Sequence, residues 1–567
     1  MTKPKKISGV KLWSVVTVVM AALLIASIIG SNIALEAAPA INAFLKTDTF
    51  KVAEKSGKNE DTAYYKSGYA TPEERAEAVQ HIAEQVAGEG AVLLRNNGAL
   101  PLKTDDTHAL KEALENAGFG VKSGVAVWDD AAIVTIVSEG TALTEAEKAM
   151  LENAREDFGT VIVLINADDM DFGFLEEYDV DAALQTGSSG TWGLNAAADL
   201  LAGNVNPSGR LTDSRNFGYG LSYTTFEWGD FRCFYNEGSD LFGISVTVTN
   251  TGEMAGKEVV QVYVRRPGEG TAELCGFAKT ALLEPGAFEI VTITVRGEAL
   301  AADGILDAGD YSLTVAPDAR SAAGGTAFTD LYNVAQTDAG KYAVSNEMVS
   351  EDGCMPVMGA ENGLELAMFI GRDFDDPAWE KLLDQLTAED MALLIAGNDA
   401  AIPSVGKPET RTRQIGPDFP DTDTLIAAFN TELAAEMGVL VGEDCLARGV
   451  SALYIPNTET GPGASFLTEA ILAAERRGIQ SRGVYFAEDG SGDTDSDLRL
   501  MRSACHGILY TVANSSAMNG ISASAAIVSV IPWWQLTLYG LMALFGLGTV
   551  ACGTRLVFVL GTEPKKK

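Results

Sequence analysis

Two long uncharged runs, one near each end, constrain this chain first, because neither can stand in water as a bare helix. Leu12 to Leu35 is 24 positions without a charge, dominated by Val, Ala, Ile and Leu. As a helix it would be about 36 Å long at ~1.5 Å per residue, which is enough to cross a bilayer. Lys3, Lys5, Lys6 and Lys11 precede it and predict a cytoplasmic amino terminus. A cleaved signal peptide is the alternative, since Ala38-Pro39-Ala40 resembles a small-residue cleavage site. Signal cores run only ~7 to 15 apolar residues, so an uncleaved anchor over 12–35 is the expectation. At the other end, Pro532 followed by Trp533-Trp534 reads as a helix start at the outer interface. The uncharged run continues through Cys552 to Arg555 and is followed by Lys565-Lys566-Lys567, which favours a second transmembrane helix over 531–552 rather than a buried core helix. Both termini are then cytoplasmic, the main domains from about Glu36 to Gly520 are extracellular, and the lipid bilayer is a partner.

Between these runs the chain is strongly acidic. Net charge is −37, yet eight of the 41 basic residues lie in the first eleven and last thirteen positions with only Glu563 opposing them. The middle therefore carries about −44, from 33 basic against 77 acidic residues, a field that repels nucleic acid. Six cysteines, at 233, 275, 354, 445, 505 and 552, include no C-x-x-C, so no zinc site or disulfide framework follows. Three histidines, at 81, 108 and 506, argue against a histidine metal site or a Ser-His-Asp triad. No cofactor and no metal is expected.

A chain of 567 residues exceeds one core, and about three soluble domains are expected. Thr71-Pro72-Glu73-Glu74 is a capping box, followed by an apolar stripe at Ala76, Val79, Ile82, Ala83 and Val86. Helix near His108 to Ala117, strand Ala131 to Val137, a helix capped by Thr144 and Glu147, strand Thr160 to Asn166 and helix Leu194 to Leu201 then alternate. That order predicts a mostly parallel sheet covered on both faces. After Trp228 the period changes to two, at Ile244, Val246 and Val248, then Val259 to Val264, Val291 to Val295 and Tyr311 to Val315, the pattern of a β-sandwich. Residues 318–370 are loosely patterned, and two helices start near Asp376 and Thr387.

Several phrases are more specific. Asn204-Val-Asn-Pro-Ser-Gly-Arg-Leu211 with Phe217-Gly-Tyr-Gly-Leu-Ser-Tyr-Thr-Thr-Phe-Glu-Trp228 joins the two periodicities, and Glu89-Gly-Ala-Val-Leu-Leu-Arg-Asn-Asn-Gly-Ala-Leu-Pro-Leu102 precedes them. Together these resemble glycoside hydrolase family 3, mostly β-glucosidases, at its α/β domain. Val248-Thr-Asn-Thr-Gly252 and Gly256-Lys-Glu-Val-Val-Gln-Val-Tyr-Val264 resemble its fibronectin type III-like domain. Asp376-Pro-Ala-Trp, Ala401-Ile-Pro-Ser-Val-Gly406, Gly442-Glu-Asp444, Ala452-Leu-Tyr-Ile-Pro-Asn457, Gly478-Ile-Gln-Ser-Arg-Gly-Val484 and Ile508-Leu-Tyr-Thr-Val-Ala-Asn-Ser515 resemble its catalytic barrel. The barrel-like segment comes last instead of first, as in a permuted order, and 376–520 is short against the ~200 residues of a closed barrel. The expected organisation is multidomain α/β: anchor 12–35, α/β sandwich domain 71–215, fibronectin type III-like β-sandwich 216–320, connector 321–375, truncated (β/α) barrel-like domain 376–520 and transmembrane helix 531–552.

The resemblance implies a retaining exo-β-glycosidase acting on an oligosaccharide or β-glycoside, whose chemistry needs two carboxyl groups about 5–5.5 Å apart. Ser138-Glu139-Gly140 directly follows a strand where the family carries its acid/base loop, so Glu139 is the candidate general acid/base. The nucleophile, an aspartate before tryptophan, is unassigned: Trp128, Trp192, Trp228 and Trp379 lack that aspartate. The family's Lys-His pair is missing near Gly483, and its sugar-gripping Asp-Gly-Pro stands as Ile415-Gly416-Pro417. Asp489, Asp493, Asp495 and Asp497 read as a solvated loop. A catalytically inactive carbohydrate-binding or cell-surface scaffold protein is the alternative function.

Overall fold

The structure, a computed structural model, describes residues 9–45, 47, 50–54, 62–102, 104–137, 140–167, 170–212, 216–302, 305–324, 328–334, 357–396, 399, 401–454, 474, 479–482, 495–522 and 525–562. Helix α1 (Gly9–Glu36) is followed by α2 (Ala38–Leu45) and strand β1 (Phe50–Glu54). Helix α3 (Pro72–Gly90) then leads into the first sheet. Its start is local chemistry: the Thr71 hydroxyl accepts the Glu74 N–H at 3.2 Å, and the Glu74 carboxylate accepts the Ala70 N–H at 3.3 Å.

The sheet contains β2 (Val92–Asn96), β3 (Gly124–Trp128), β4 (Ala131–Ile136), β5 (Thr160–Ile165) and β6 (Ala182–Gln185), in the order β2-β6-β5-β4-β3. Strands β4, β5 and β6 are parallel to one another. Both edges depart from the expected parallel pattern, since β3 runs antiparallel to β4 and β2 antiparallel to β6. The physical reason at one edge is the two-residue turn Asp129-Asp130, with Asp129 at φ 48°. A turn that short can close only a hairpin. Helices α4 (Thr107–Ala117) and α7 (Gly193–Ala202) cover one face through Leu110, Leu114, Leu200 and Leu201 against Ile133, Ile162 and Leu184. Helix α5 (Glu145–Asp157) covers the other through Leu151 and Ala154 against Val134 and Val163. Its predicted Thr144–Glu147 capping box is present.

A seven-stranded antiparallel sandwich follows. One sheet holds β7 (Phe226–Asn236), β8 (Leu241–Asn250) and β11 (Phe288–Arg296); the other holds β9 (Val259–Arg265), β10 (Glu273–Lys279), β12 (Gly309–Ala316) and β13 (Phe328–Val334). Alternate residues point inward, so Ile244, Val246 and Val248 face Val260, Val262, Val264, Leu313 and Val315. Strand β13 comes from the stretch 321–375 expected to be a connector; its Tyr332 ring packs on Tyr235 and Phe242.

Toward the C-terminus, α9 (Ala378–Leu383), α10 (Ala388–Ile395) and α13 (Asp495–Ala513) enclose Trp379, Leu382, Met391, Leu394, Cys505, Leu509 and Val512. Three short parallel strands, β14 (Thr412–Arg413), β15 (Ala452–Tyr454) and β16 (Gln480–Arg482), form the only sheet among the described residues of 376–520. Helices α11 (Thr422–Ala427) and α12 (Thr431–Arg448) bury Leu425, Leu433, Met437 and Val441 against Val79, Ile82 and Val86 of α3. Helix α3 thus shares its apolar surface between two units. The last strand, β17 (Ala525–Ser529), pairs antiparallel with β1, and α14 (Trp533–Thr562) packs along α1. Gly9–Leu35 and Trp533–Thr562 are each long and apolar enough to cross a membrane.

Candidate functional site

Parallel strands end together, and in open α/β sheets ligands collect at that carboxyl edge. Here β4 runs toward residues 138 and 139, β5 into Asn166 and β6 into Thr186, and backbone bonds tie the three ends. The Asn166 N–H donates to the Ile136 carbonyl and the Thr186 N–H to the Ile165 carbonyl, both at 2.8 Å. The Gln185 side-chain amide donates to the Ala167 carbonyl at 2.8 Å. Glu139, the predicted acid/base, lies outside the described residues. The loop resumes at Gly140, and the Thr141 carbonyl accepts the Asp171 N–H at 2.9 Å.

A cavity of about 160 Å³ lies at this edge, lined by Gly90, Gln185, Gly187, Arg210, Thr212, Asp423 and Thr424 among others. Four separate stretches build it, around Gly90, Gln185, Arg210 and Asp423. The C-terminal segment docks through the loop after β6: Thr191 donates from both N–H and hydroxyl to the Pro417 carbonyl, at 2.9 and 3.0 Å, and the Asp421 N–H donates to the Ser188 carbonyl at 3.1 Å. Gly190 permits this approach, with φ 68° and the Phe419 carbonyl 2.6 Å from where a Cβ would be. Asp421 caps α11, accepting the Thr424 N–H at 2.8 Å. Burial pushes its carboxyl upward, against the hydrogen bonds from Thr424. Asp423, in the first turn of α11, is the carboxylate in the lining. Sequence reading passed over it because its role depends on docking, although the Asp-Thr-Asp-Thr run does signal a helix start.

The Pro-Ser-Gly-Arg phrase supplies another wall. Gly209 donates to the Ala91 carbonyl at 3.1 Å, and a Cβ there would lie 2.5 Å from the Gly90 carbonyl. Arg210 donates its backbone N–H to the Ala427 carbonyl at 2.9 Å, while its buried guanidinium pairs with Glu258 at 2.9 Å. Behind it, Glu89 closes the joint. Its carboxylate accepts from Lys257, from Lys279 at 3.1 Å and from the Asn430 amide at 3.0 Å. Lys279 also donates to the Ala428 carbonyl at 2.7 Å. Burial pushes the Glu89 carboxyl up, but the two ammonium groups and the Asn430 amide outweigh it and hold the pKa at about 2. Burial pushes Lys279 down to about 8 despite the Glu89 carboxylate.

The aromatics of the joining phrase are structural. Phe217 and Phe277 pack on Phe429 at 6.0 and 5.4 Å between ring centres, and the Tyr223 hydroxyl donates to the Leu200 carbonyl at 3.0 Å. Trp379 is buried and donates to the Asp373 carbonyl at 3.0 Å. Ile415, which stands where the resemblance implies a sugar-gripping aspartate, packs on the apolar core shared by α3 and α12. Asp495 and Asp497 fall within α13 and not in the loop expected for them. Asp489, Asp493 and Gly483 lie outside the described residues. Among the described residues, no group of three or more His, Cys, Asp or Glu side chains could hold a metal ion.

Residues 125–238 match the glycosyl hydrolase family 3 C-terminal domain, and residues 258–318 match the fibronectin type III-like domain. The chain is similar to a β-glucosidase of Ruminococcus albus, with 31% identity over 245 residues, covering 33% of this chain and 26% of that enzyme. It is also similar to β-glucosidase A of Butyrivibrio fibrisolvens, with 32% identity over 223 residues, covering 28% and 27% respectively. The chain therefore spans only about a quarter of these relatives' length. In fold it resembles the crystal structure of a β-glucosidase from Paenibacillus barengoltzii, at TM-score 0.55 and 20% identity over 71% of this chain and 68% of that one. These similarities make the chain family 3 β-glucosidase-like in its α/β and fibronectin type III-like parts.

Proposed function

We propose that the chain is a membrane-anchored surface protein that engages β-glycosides, with Glu139 as the general acid of a retaining exo-β-glycosidase. The observation that carries this reading is the polar cavity at the carboxyl end of β6, walled by Arg210 and by Asp423 of a second unit. In sequence, Glu139 follows the last residue of β4 by three positions. In this reading 376–520 is a shortened, permuted relative of the family barrel, its bilayer anchors keep the acidic middle outside the cell, and the nucleophile is a carboxylate still to be assigned.

A second reading, a carbohydrate-binding protein without hydrolysis, is favoured by a specific observation. The Ile415–Pro417 loop is committed to packing: Ile415 joins an apolar core and the Pro417 carbonyl is taken up by Thr191. Neither can accept a sugar hydroxyl in the way a carboxylate there would.

One assay separates the two. The detergent-solubilised full chain is offered a nitrophenyl β-glucoside, and release of nitrophenol is followed beside saturable binding of the same glycoside. Turnover that Glu139→Ala lowers about 10²–10⁴-fold, the usual contribution of general acid catalysis, supports the first reading. Saturable binding without turnover supports the second, and absence of both rejects both. Protease shaving of intact cells tests the location, since protection of the middle domains would rule out an outside placement.

A further inference from the structure

We propose that α1 and α14 cross the bilayer as one antiparallel hairpin, so that the N-terminal segment is a retained half of the anchor and not a cleaved leader, with lipid covering its outer face. This rests on the membrane-anchored reading and adds to it a specific pairing and a specific fate for the first 40 residues. The sequence alone left those points open, because a leader ending at Ala38-Pro39-Ala40 and an anchor over 12–35 share the same apolar run.

Three contacts define the pairing. A Cβ at Gly9 would lie 3.4 Å from Val559, one at Gly546 would lie 3.9 Å from Leu24, and one at Gly548 would meet the end of the Met20 side chain. As the number rises along α1 it falls along α14, so the helices are antiparallel and in a single register. Small residues at the contact let the backbones approach, and that close packing is what associates helices in lipid, where no hydrophobic drive exists between them. The same pairing continues outside the helices, where β1 meets β17 with Phe50 opposite Ser529 and Glu54 opposite Ala525. Two independent kinds of contact thus bring the ends of the chain together.

The rest of each helix says what covers the pair. Val15, Val18 and Ile25 on α1 and Leu547, Val550 and Val557 on α14 are 58 to 72% exposed, all on apolar side chains. With 28 and 30 residues the helices are about 42 and 45 Å long, against a hydrocarbon core of roughly 30 Å. Charge fixes the direction. By this register Lys11 and Arg555 fall close together at the end away from the β1–β17 ribbon, while Trp533, 60% exposed, stands at the ribbon end. Basic residues on one side and tryptophan at the opposite interface are the arrangement a spanning pair adopts. Removing residues 1–40 would strip α14 of this partner while leaving β1 in place.

The test uses the full chain in bacterial membranes with Cys552→Ser as background. Met20→Cys with Gly548→Cys, and Leu24→Cys with Gly546→Cys, are oxidised in the membrane and run on non-reducing gels. Both pairs are expected to form an intramolecular disulfide, whereas Met20→Cys with Gly540→Cys, displaced along the helix by about 12 Å, is expected to form at least tenfold less. Mass spectrometry of the purified chain is expected to find peptides from residues 12–35. Failure of both in-register pairs in a chain of full length overturns the hairpin. A chain beginning near residue 41 overturns retention, while the membrane reading survives if the protein stays in the pellet after alkaline carbonate. Release by carbonate overturns both.

Discussion

At the scale of single residues, the strongest constraint is the Glu89 carboxylate. It is 7% exposed and shared by Lys257, Lys279 and Asn430. Replacing one member of a buried ion pair leaves its partners charged and unpaired, at a cost of about 3–5 kcal/mol. Glu89→Gln is therefore expected to lower unfolding stability by roughly that amount in a denaturant titration. The pH sign follows from the folded pKa of about 2, below the ordinary value of 4.5. Between those values the unfolded chain binds more protons, so the stabilisation is complete above pH 4.5 and is lost as pH falls toward 2. Acid titration of wild type and Glu89→Gln should show that window flattened in the variant. His506 supplies a second titration: its ring stacks on Phe374 at 4.2 Å, and burial lowers its pKa. Stability should thus fall as pH drops below the ordinary histidine range of about 6.5, and His506→Phe should remove that slope from melting curves. Residue-scale legibility divides by range. The caps at Thr71, Thr144 and Thr387 were readable because both partners lie within three residues. Glu89 was not, because Lys257 and Asn430 are 168 and 341 residues away in sequence.

At the scale of elements, period and burial decided what could be read. Strands β4 and β5 are continuous apolar runs inside the sheet, and β8 alternates because one face is covered. Strands β3 and β6 escaped, one because its edge position exposes Val125 and Val127, the other because it has only four residues, Ala182–Gln185. The loop after β6 carries a testable demand of its own. Gly190 has φ 68°, and any Cβ would meet the Phe419 carbonyl at 2.6 Å, a backbone atom that cannot swing aside. Gly190→Ala is expected to cost about 1–3 kcal/mol through overpacking and left-handed strain. It should also loosen the segment 415–421 from the α/β unit, read as faster proteolytic cleavage there than in wild type. Unchanged stability and cleavage would show that the docking seen at Pro417 and Ser188 contributes little.

At the scale of the whole molecule, the sequence shows where its periodicity changes but not how the units lock. The Phe217–Trp228 phrase marks where the α/β unit hands over to the sandwich, and the structure puts its first ring against a residue of the C-terminal region. Phe429 is fully buried between Phe217 and Phe277, so one ring from the turn between α11 and α12 touches both the joining phrase and strand β10. Its φ of 48° is unusual for a bulky residue and persists only where surrounding contacts hold it. The Glu89 cluster sits beside the same turn through Ala428 and Asn430. Because three units depend on this one junction, they should unfold together. Phe429→Ala removes the ring and opens a cavity, a loss of about 3–5 kcal/mol for a buried phenylalanine. That loss falls on the contacts between units more than within any of them, so calorimetry should show one transition for wild type resolving into at least two for the variant. A single transition that merely moves to lower temperature would mean that the units are coupled elsewhere, through the α3 surface that Val79, Ile82 and Val86 share with α12.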